Sequence, residues 1–207
     1  MLNDYLADLP LIAILRGVTP QDIVPVGRAL YDAGFRVIEI PLNSPRPLDS
    51  IQRLAGELGD SCLVGAGTVL SERQVDDVAR SGGRLIVSPN ANAAVIRASK
   101  AAGMASAPGV ATPSEGFAAL EAGADALKLF PAEQLGPDVL KAWRAVFPAT
   151  LPMLPVGGIT PDNMQPYLKS GASGFGLGSA LYKPGLDAEQ VAANARAFAQ
   201  AWQRLNA

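Results

Sequence analysis

Three features of this 207-residue sequence predict a compact α/β fold of the (β/α)8 TIM-barrel class. Eight apolar runs of strand length recur along the chain, a helical pattern follows each, and glycines mark the helix-to-strand junctions. The junctions fall about twenty to twenty-five residues apart, or twice that, the length of one strand plus one helix with short loops. A doubly wound open sheet is the alternative, but regular units without a long insertion favour closure. One domain covering 1–207 is expected, with no linker or low-complexity tract.

Taken in order, residues 3–7 form a short helix that plugs the barrel ahead of the first strand at 11–15, which ends in Arg16-Gly17. Thr19-Pro20 opens a helix over 20–33, because threonine caps and proline suits a first helical turn. Ala33-Gly34 closes it, since glycine takes the left-handed conformation that ends helices. In the second strand, 35–40, alternation turns Ile38 and Ile40 towards helices and Val37 and Glu39 towards the interior. Ser44-Pro45 starts the helix at 45–58, and the third strand at 62–65 follows. The helix at 71–81 ends at Ser81-Gly82 before the fourth strand, 84–87, and that at 91–102 ends at Ala102-Gly103 before the fifth, 104–107. Thr112-Pro113 and Ala122-Gly123 bracket a helix over 113–122. The sixth strand, 126–130, places Ala126, Lys128 and Phe130 on one face and Leu127 and Leu129 on the other. A helix at 136–147, the seventh strand at 153–156, a helix at 161–169 opened by Thr160-Pro161 and closed by Ser170-Gly171, the eighth strand at 174–177 and a helix at 188–205 complete the pattern.

Composition removes several classes of function. With 49% hydrophobic and 17% charged residues the chain supports a large core, and seventeen basic against nineteen acidic residues leave a net charge of -2. That balance provides no field for nucleic acid or an anionic membrane, so an anionic ligand must be held locally. The first fifteen residues carry two aspartates and no basic residue, unlike a signal peptide, and a cytoplasmic protein is expected. Cys62 is the only cysteine, which rules out disulfides within the chain, and its apolar context reads as a small buried hydrophobe. Histidine is absent, so the usual general base, most zinc sites and the common nucleophilic triads are missing. Chemistry falls to carboxylates, lysine, arginine and backbone, and neither a metal nor a cofactor is expected.

Barrel active sites lie at the carboxyl ends of the strands, where this sequence offers Arg16, Glu39, Asn43, Thr68, Asn90 and Lys128. Lys128, between an alanine and a phenylalanine on an inward face, is poorly solvated, and desolvation lowers an amine's pKa and makes it a nucleophile. A snorkelling lysine at a strand end is the competing reading. Glu39 faces inward with a raised pKa suited to moving protons, or else forms an ion pair with Lys128 or Arg16. Gly157-Gly158 and Gly178-Ser179 follow strands seven and eight, where backbone N–H groups cradle phosphate in barrels, with simple tight turns as the competing reading. Arg16 and Thr68 together suit a carboxylate, although Arg16 also suits the phosphate. Lys100, Lys141, Lys169 and Lys183 read as solvated.

Five segments, Glu39-Ile40-Pro41-Leu42-Asn43-Ser44-Pro45, Gly65-Ala66-Gly67-Thr68-Val69, Ser88-Pro89-Asn90, Lys128-Leu129-Phe130-Pro131-Ala132-Glu133 and Pro155-Val156-Gly157-Gly158-Ile159, resemble the 2-keto-3-deoxy-6-phosphosugar-acid aldolases. The match runs in order over nearly the whole chain. The resemblance implies a class I aldolase barrel, typically trimeric, that splits a six-carbon keto acid phosphate into pyruvate and glyceraldehyde 3-phosphate. It makes Lys128 the Schiff-base lysine and Glu39 the proton-transfer residue. It also implies substrate contacts at Arg16, Thr68, Pro89, Phe130, Val156, Gly157, Gly158, Gly178 and Ser179. The gluconate-type branch commonly has threonine before the paired glycines, where this chain has Val156, which leans towards the galactonate-type branch. Some gluconate enzymes also carry arginine where this chain has Asn43, which leaves the carboxylate contact to Arg16. The gluconate epimer, a non-covalent phosphate-binding isomerase or synthase, and a non-catalytic ligand-binding barrel are the alternatives.

Overall fold

The computed structural model describes residues 1–206, in which parallel strands alternate with helices. The chain runs through α1 (Leu2–Leu6), β1 (Leu11–Ile14), α2 (Ile23–Asp32), β2 (Val37–Pro41), α3 (Pro47–Leu58) and β3 (Leu63–Gly67). It continues with α4 (Glu72–Arg80), β4 (Leu85–Val87), α5 (Ala93–Ala101), β5 (Ala105–Ala107), β6 (Gly109–Val110) and α6 (Pro113–Glu121). Then come β7 (Leu127–Leu129), α7 (Ala132–Arg144), β8 (Met153–Pro155), α8 (Met164–Lys169), β9 (Phe175–Leu177) and α9 (Ala188–Asn206).

These strands form a curled parallel sheet in two hydrogen-bonded parts, ordered β5-β4-β3-β2-β1-β9 and β6-β7-β8. The fifth expected strand, 104–107, is found as β5, and β6 follows it as a ninth strand that the sequence pattern does not predict. Pro108 has no N–H to give to a ladder, and at this residue pairing passes from β4, the partner of β5, to β7, the partner of β6. Across this seam the N–H groups of Asp125 and Lys128 donate to Ser106 O and Pro108 O, each at 2.9 Å. At the opposite seam Ser173 N–H donates to Met153 O at 2.9 Å, and Val156 pairs with Gly176 in an isolated parallel bridge.

Alternation sorts the apolar residues into two cores. Leu11, Ala13, Ile38, Ile40, Leu127 and Leu129 face outward and pack with the helices. Ile12, Val37, Leu63, Leu85, Ala126 and Leu154 face inward, where Leu2 and Leu6 of α1 join them as the expected plug. At roughly 25 cal/mol per Å², each fully buried leucine contributes about 2 kcal/mol. Cys62 is fully buried, with its thiol towards Phe35 O at 3.8 Å.

The five helix-ending glycines, Gly34, Gly82, Gly103, Gly123 and Gly171, all have φ between 70° and 100°. Helix starts differ more from expectation. Only Thr112-Pro113 caps as read, in a capping box in which Glu115 accepts from Thr112 N. α2, α3 and α8 begin two or three residues beyond their expected prolines, behind Asp22, Arg46 and Asn163. Local polar contacts hold those loops instead: Thr19 Oγ1 donates to Asp22 at 2.6 Å, and Thr160 N–H donates to Asn163 Oδ1 at 2.9 Å. α7 starts at Ala132, earlier than expected, and breaks at Gly136, whose φ of 67° is not helical.

Candidate active site

β7 ends in Lys128-Leu129 and Phe130 follows it, and alternation brings Lys128 and Phe130 to the inward face at the carboxyl end of the sheet. Lys128 is only 7% exposed, and its ammonium lies 4.7 Å from the centre of the Phe130 ring. Burial pulls its pKa down; the Glu39 carboxylate opposes that shift and the Arg16 charge adds to it. A snorkelling lysine would reach bulk water, which a side chain this buried does not.

Glu39 is 1% exposed, on the inward face of β2. Burial pushes its carboxyl up to about 7, against the lowering effect of the Lys128 and Arg16 charges. Among the described residues it forms no ion pair, no side-chain hydrogen bond holds it, and Oε2 is buried without a partner. The pair therefore has the properties of a neutral-capable amine beside a carboxyl that exchanges protons near neutrality.

Lys128 lies between two pockets. A cavity of about 370 Å³ opens above it, lined by Arg16, Phe130, Val156, Gly157, Gly158, Gly178 and Ser179. A smaller pocket behind it is lined by Glu39, Val87, Ala107 and Leu154, and both pockets share Ile14 and Val156. Gly157 and Gly158 have φ of 111° and 65°, so their turn depends on glycine. Arg16 Nη1 donates to Asn43 Oδ1 at 2.6 Å, which orients the guanidinium at the mouth.

Two expected contacts are not brought to either pocket. Thr68 follows β3 in a left-handed conformation, φ 59°, and Pro89 packs with its carbonyl against Gly109. Asn90 is exposed and likewise lines neither pocket. Conversely, Gly17, Ile159, Tyr182, Lys183 and Pro184 also line the cavity, Lys183 while remaining exposed as the sequence predicts. The signal available was position: Gly17 follows Arg16, Ile159 follows Gly158, and Tyr182, Lys183 and Pro184 come shortly after Gly178-Ser179. The close approach of Gly17 to Pro184, where an added Cβ would sit 2.6 Å from Cγ, is visible only in three dimensions. Lys100, also expected to be solvated, pairs with Asp125 at 2.6 Å, and Asp125 in turn accepts from Ser106 N at 2.8 Å.

Comparison with known proteins identifies relatives of this chain. The family model for KDPG and KHG aldolase matches residues 2–196. The chain is 49% identical to the 2-dehydro-3-deoxy-6-phosphogalactonate aldolase of Escherichia coli over 94% of this chain and 95% of that protein. It is 32% identical to the 2-dehydro-3-deoxy-phosphogluconate aldolase of Pseudoalteromonas atlantica, over 80% and 77% of the two chains. A solved structure described as native KDPGal superimposes with a TM-score of 0.94 at 48% identity, covering 96% of both chains. This chain belongs to the KDPG and KHG aldolase family.

Proposed function

We propose that this aldolase cleaves 2-dehydro-3-deoxy-6-phosphogalactonate to pyruvate and D-glyceraldehyde 3-phosphate through a Schiff base on Lys128. The observation that carries the reading is the buried amine of Lys128, with its pKa lowered, facing the same pocket as a buried, proton-exchanging Glu39. An ordinary lysine is neutral about once in 2,500 at pH 7, and each tenfold fall in its proton affinity gives about tenfold more nucleophile. The galactonate relative at 49% identity, against 32% for the gluconate one, supports the galactonate-type substrate.

Neutral Lys128 Nζ adds to the C2 carbonyl, and loss of water gives an iminium. The C3–C4 bond then breaks, its electron pair passing into the iminium to give an enamine, while Glu39, through a water, takes the C4 hydroxyl proton. The aldehyde leaves. Glu39 returns the proton to C3, and hydrolysis of the resulting iminium releases pyruvate and restores Lys128. Arg16 acts on the protonation of both Lys128 and Glu39, which supports its holding the C1 carboxylate, next to C2. The glycine turns at Gly157-Gly158 and Gly178-Ser179 hold the phosphate by backbone N–H groups.

The hydrogen bonds at the two seams support one closed (β/α)8 barrel spanning the chain. Phe117 and Val146, exposed at 48% and 58% beside the stacked Phe117–Phe147 pair, are apolar surface suited to burial in a homotrimer, which sedimentation equilibrium tests. Borohydride added with pyruvate should leave a stable adduct on the peptide carrying Lys128. Trapping that persists in Lys128→Ala removes the assignment.

A further inference from the structure

The geometry points to Gly67 as a positioning residue for Glu39: its missing side chain is the space in which the Glu39 carboxyl sits. Glu39 and Pro41 of β2 share the inward face with Gly65 and Gly67 of β3, in the register Glu39 opposite Gly65 and Pro41 opposite Gly67. A Cβ built on Gly67 meets Glu39 Oε2, Cδ and Oε1 as its three nearest atoms, with Oε1 at 2.6 Å and the other two closer. All three belong to the Glu39 carboxyl, which is therefore the first thing a side chain at Gly67 would meet.

Backbone conformation does not require glycine here, because Gly67 is not among the residues with positive φ. Gly65 is a different case: a Cβ there would run into the main-chain carbonyl of Leu85, which a strand cannot move aside. Main-chain packing therefore explains Gly65, whereas at Gly67 the nearest obstacle is the Glu39 carboxyl. That carboxyl has no hydrogen bond to anchor it, and Oε2 is buried without a partner, so the shape of the wall determines where it points. Filling the wall at Gly67 turns the carboxyl away from the pocket it shares with Lys128.

This rests on the Schiff-base reading of Lys128 and Glu39, and the test separates the two. In Gly67→Ala, borohydride trapping of pyruvate on Lys128 should remain at the level of the unmodified protein, since that step needs the amine. Turnover should fall about 10–100-fold with KM within about twofold, the loss expected when a reacting group is misplaced by about 1 Å. The Glu39 carboxyl, followed by ¹³C NMR, should titrate away from its value of about 7. Glu39→Asp, one methylene shorter, should cost less turnover in Gly67→Ala than in the unmodified protein, because the shorter side chain clears the new methyl group. Losses that simply multiply, or a Gly67→Ala enzyme with unchanged turnover and unchanged Glu39 titration, overturn the assignment. So does a Gly67→Ala chain that fails to fold both alone and together with Glu39→Ala, because the obstacle is then not the carboxyl. If the unmodified enzyme does not trap pyruvate, the Schiff-base reading fails. The NMR titration still decides whether Gly67 sets the place of Glu39.

Discussion

Replacing Glu39 by glutamine separates the cost of ionising this buried carboxyl from its part in catalysis. Burial raises the carboxyl from its ordinary 4.5 to about 7, so the folded protein holds this proton more tightly than the unfolded chain does. A carboxyl raised in this way contributes stability that is complete below its unfolded pKa and is lost as pH rises through the folded one. Integrated from about pH 5 to about pH 8.5, the loss amounts to roughly 2.5 kcal/mol. Glutamine does not titrate and loses none of it. The buried amide has its own desolvation cost, but that cost is the same at both pH values and cancels from the difference. Urea unfolding followed by fluorescence of Trp143 and Trp202 at the two pH values should show the Glu39→Gln protein gaining about 2.5 kcal/mol on the unmodified one as pH rises. Parallel stability curves for the two proteins would refute the burial argument, because an exposed or ion-paired carboxylate would not produce the gap.

Three further outcomes follow from the same geometry. Arg16→Ala removes a positive charge that lowers both Glu39 and Lys128, so both limbs of the pH–rate profile should move to higher pH, and kcat/KM should fall about 10–100-fold with the lost carboxylate contact. Lys183→Ala should raise KM for the phosphorylated substrate about five- to tenfold, an effect that fades with added salt, while an unphosphorylated analogue is unaffected; equal KM values would take Lys183 out of the site. Val156→Thr places a hydroxyl at a position only 7% exposed. It should cost about 1–3 kcal/mol in thermal unfolding and lower the ratio of galactonate-type to gluconate-type cleavage, and an unchanged ratio in a competition assay would show that this side chain does not read C4.

Much of this protein is legible in the order of its residues, for a physical reason. The inward and outward faces of the strands, the buried Lys128 and Glu39, and the left-handed glycines after five helices all follow from preferences that act within a few residues. The prolines at 20, 45 and 161 show the limit of that locality. Each fits a first helical turn, yet side-chain contacts such as Thr19 to Asp22 hold the loop and delay the helix. Tertiary structure alone decided the relations between segments. Pro108 separates the expected fifth strand from an additional one, β6, which pairs with a different partner. Lys183 reaches the cavity because the loop that carries it packs on Gly17. Lys100 of α5 finds Asp125 in the loop ahead of β7, a contact that periodicity does not encode. Gly67 reads in sequence as one more glycine near a strand end. Only the register of β3 against β2 shows that it leaves room for the Glu39 carboxyl, since register and curvature depend on how the whole sheet packs.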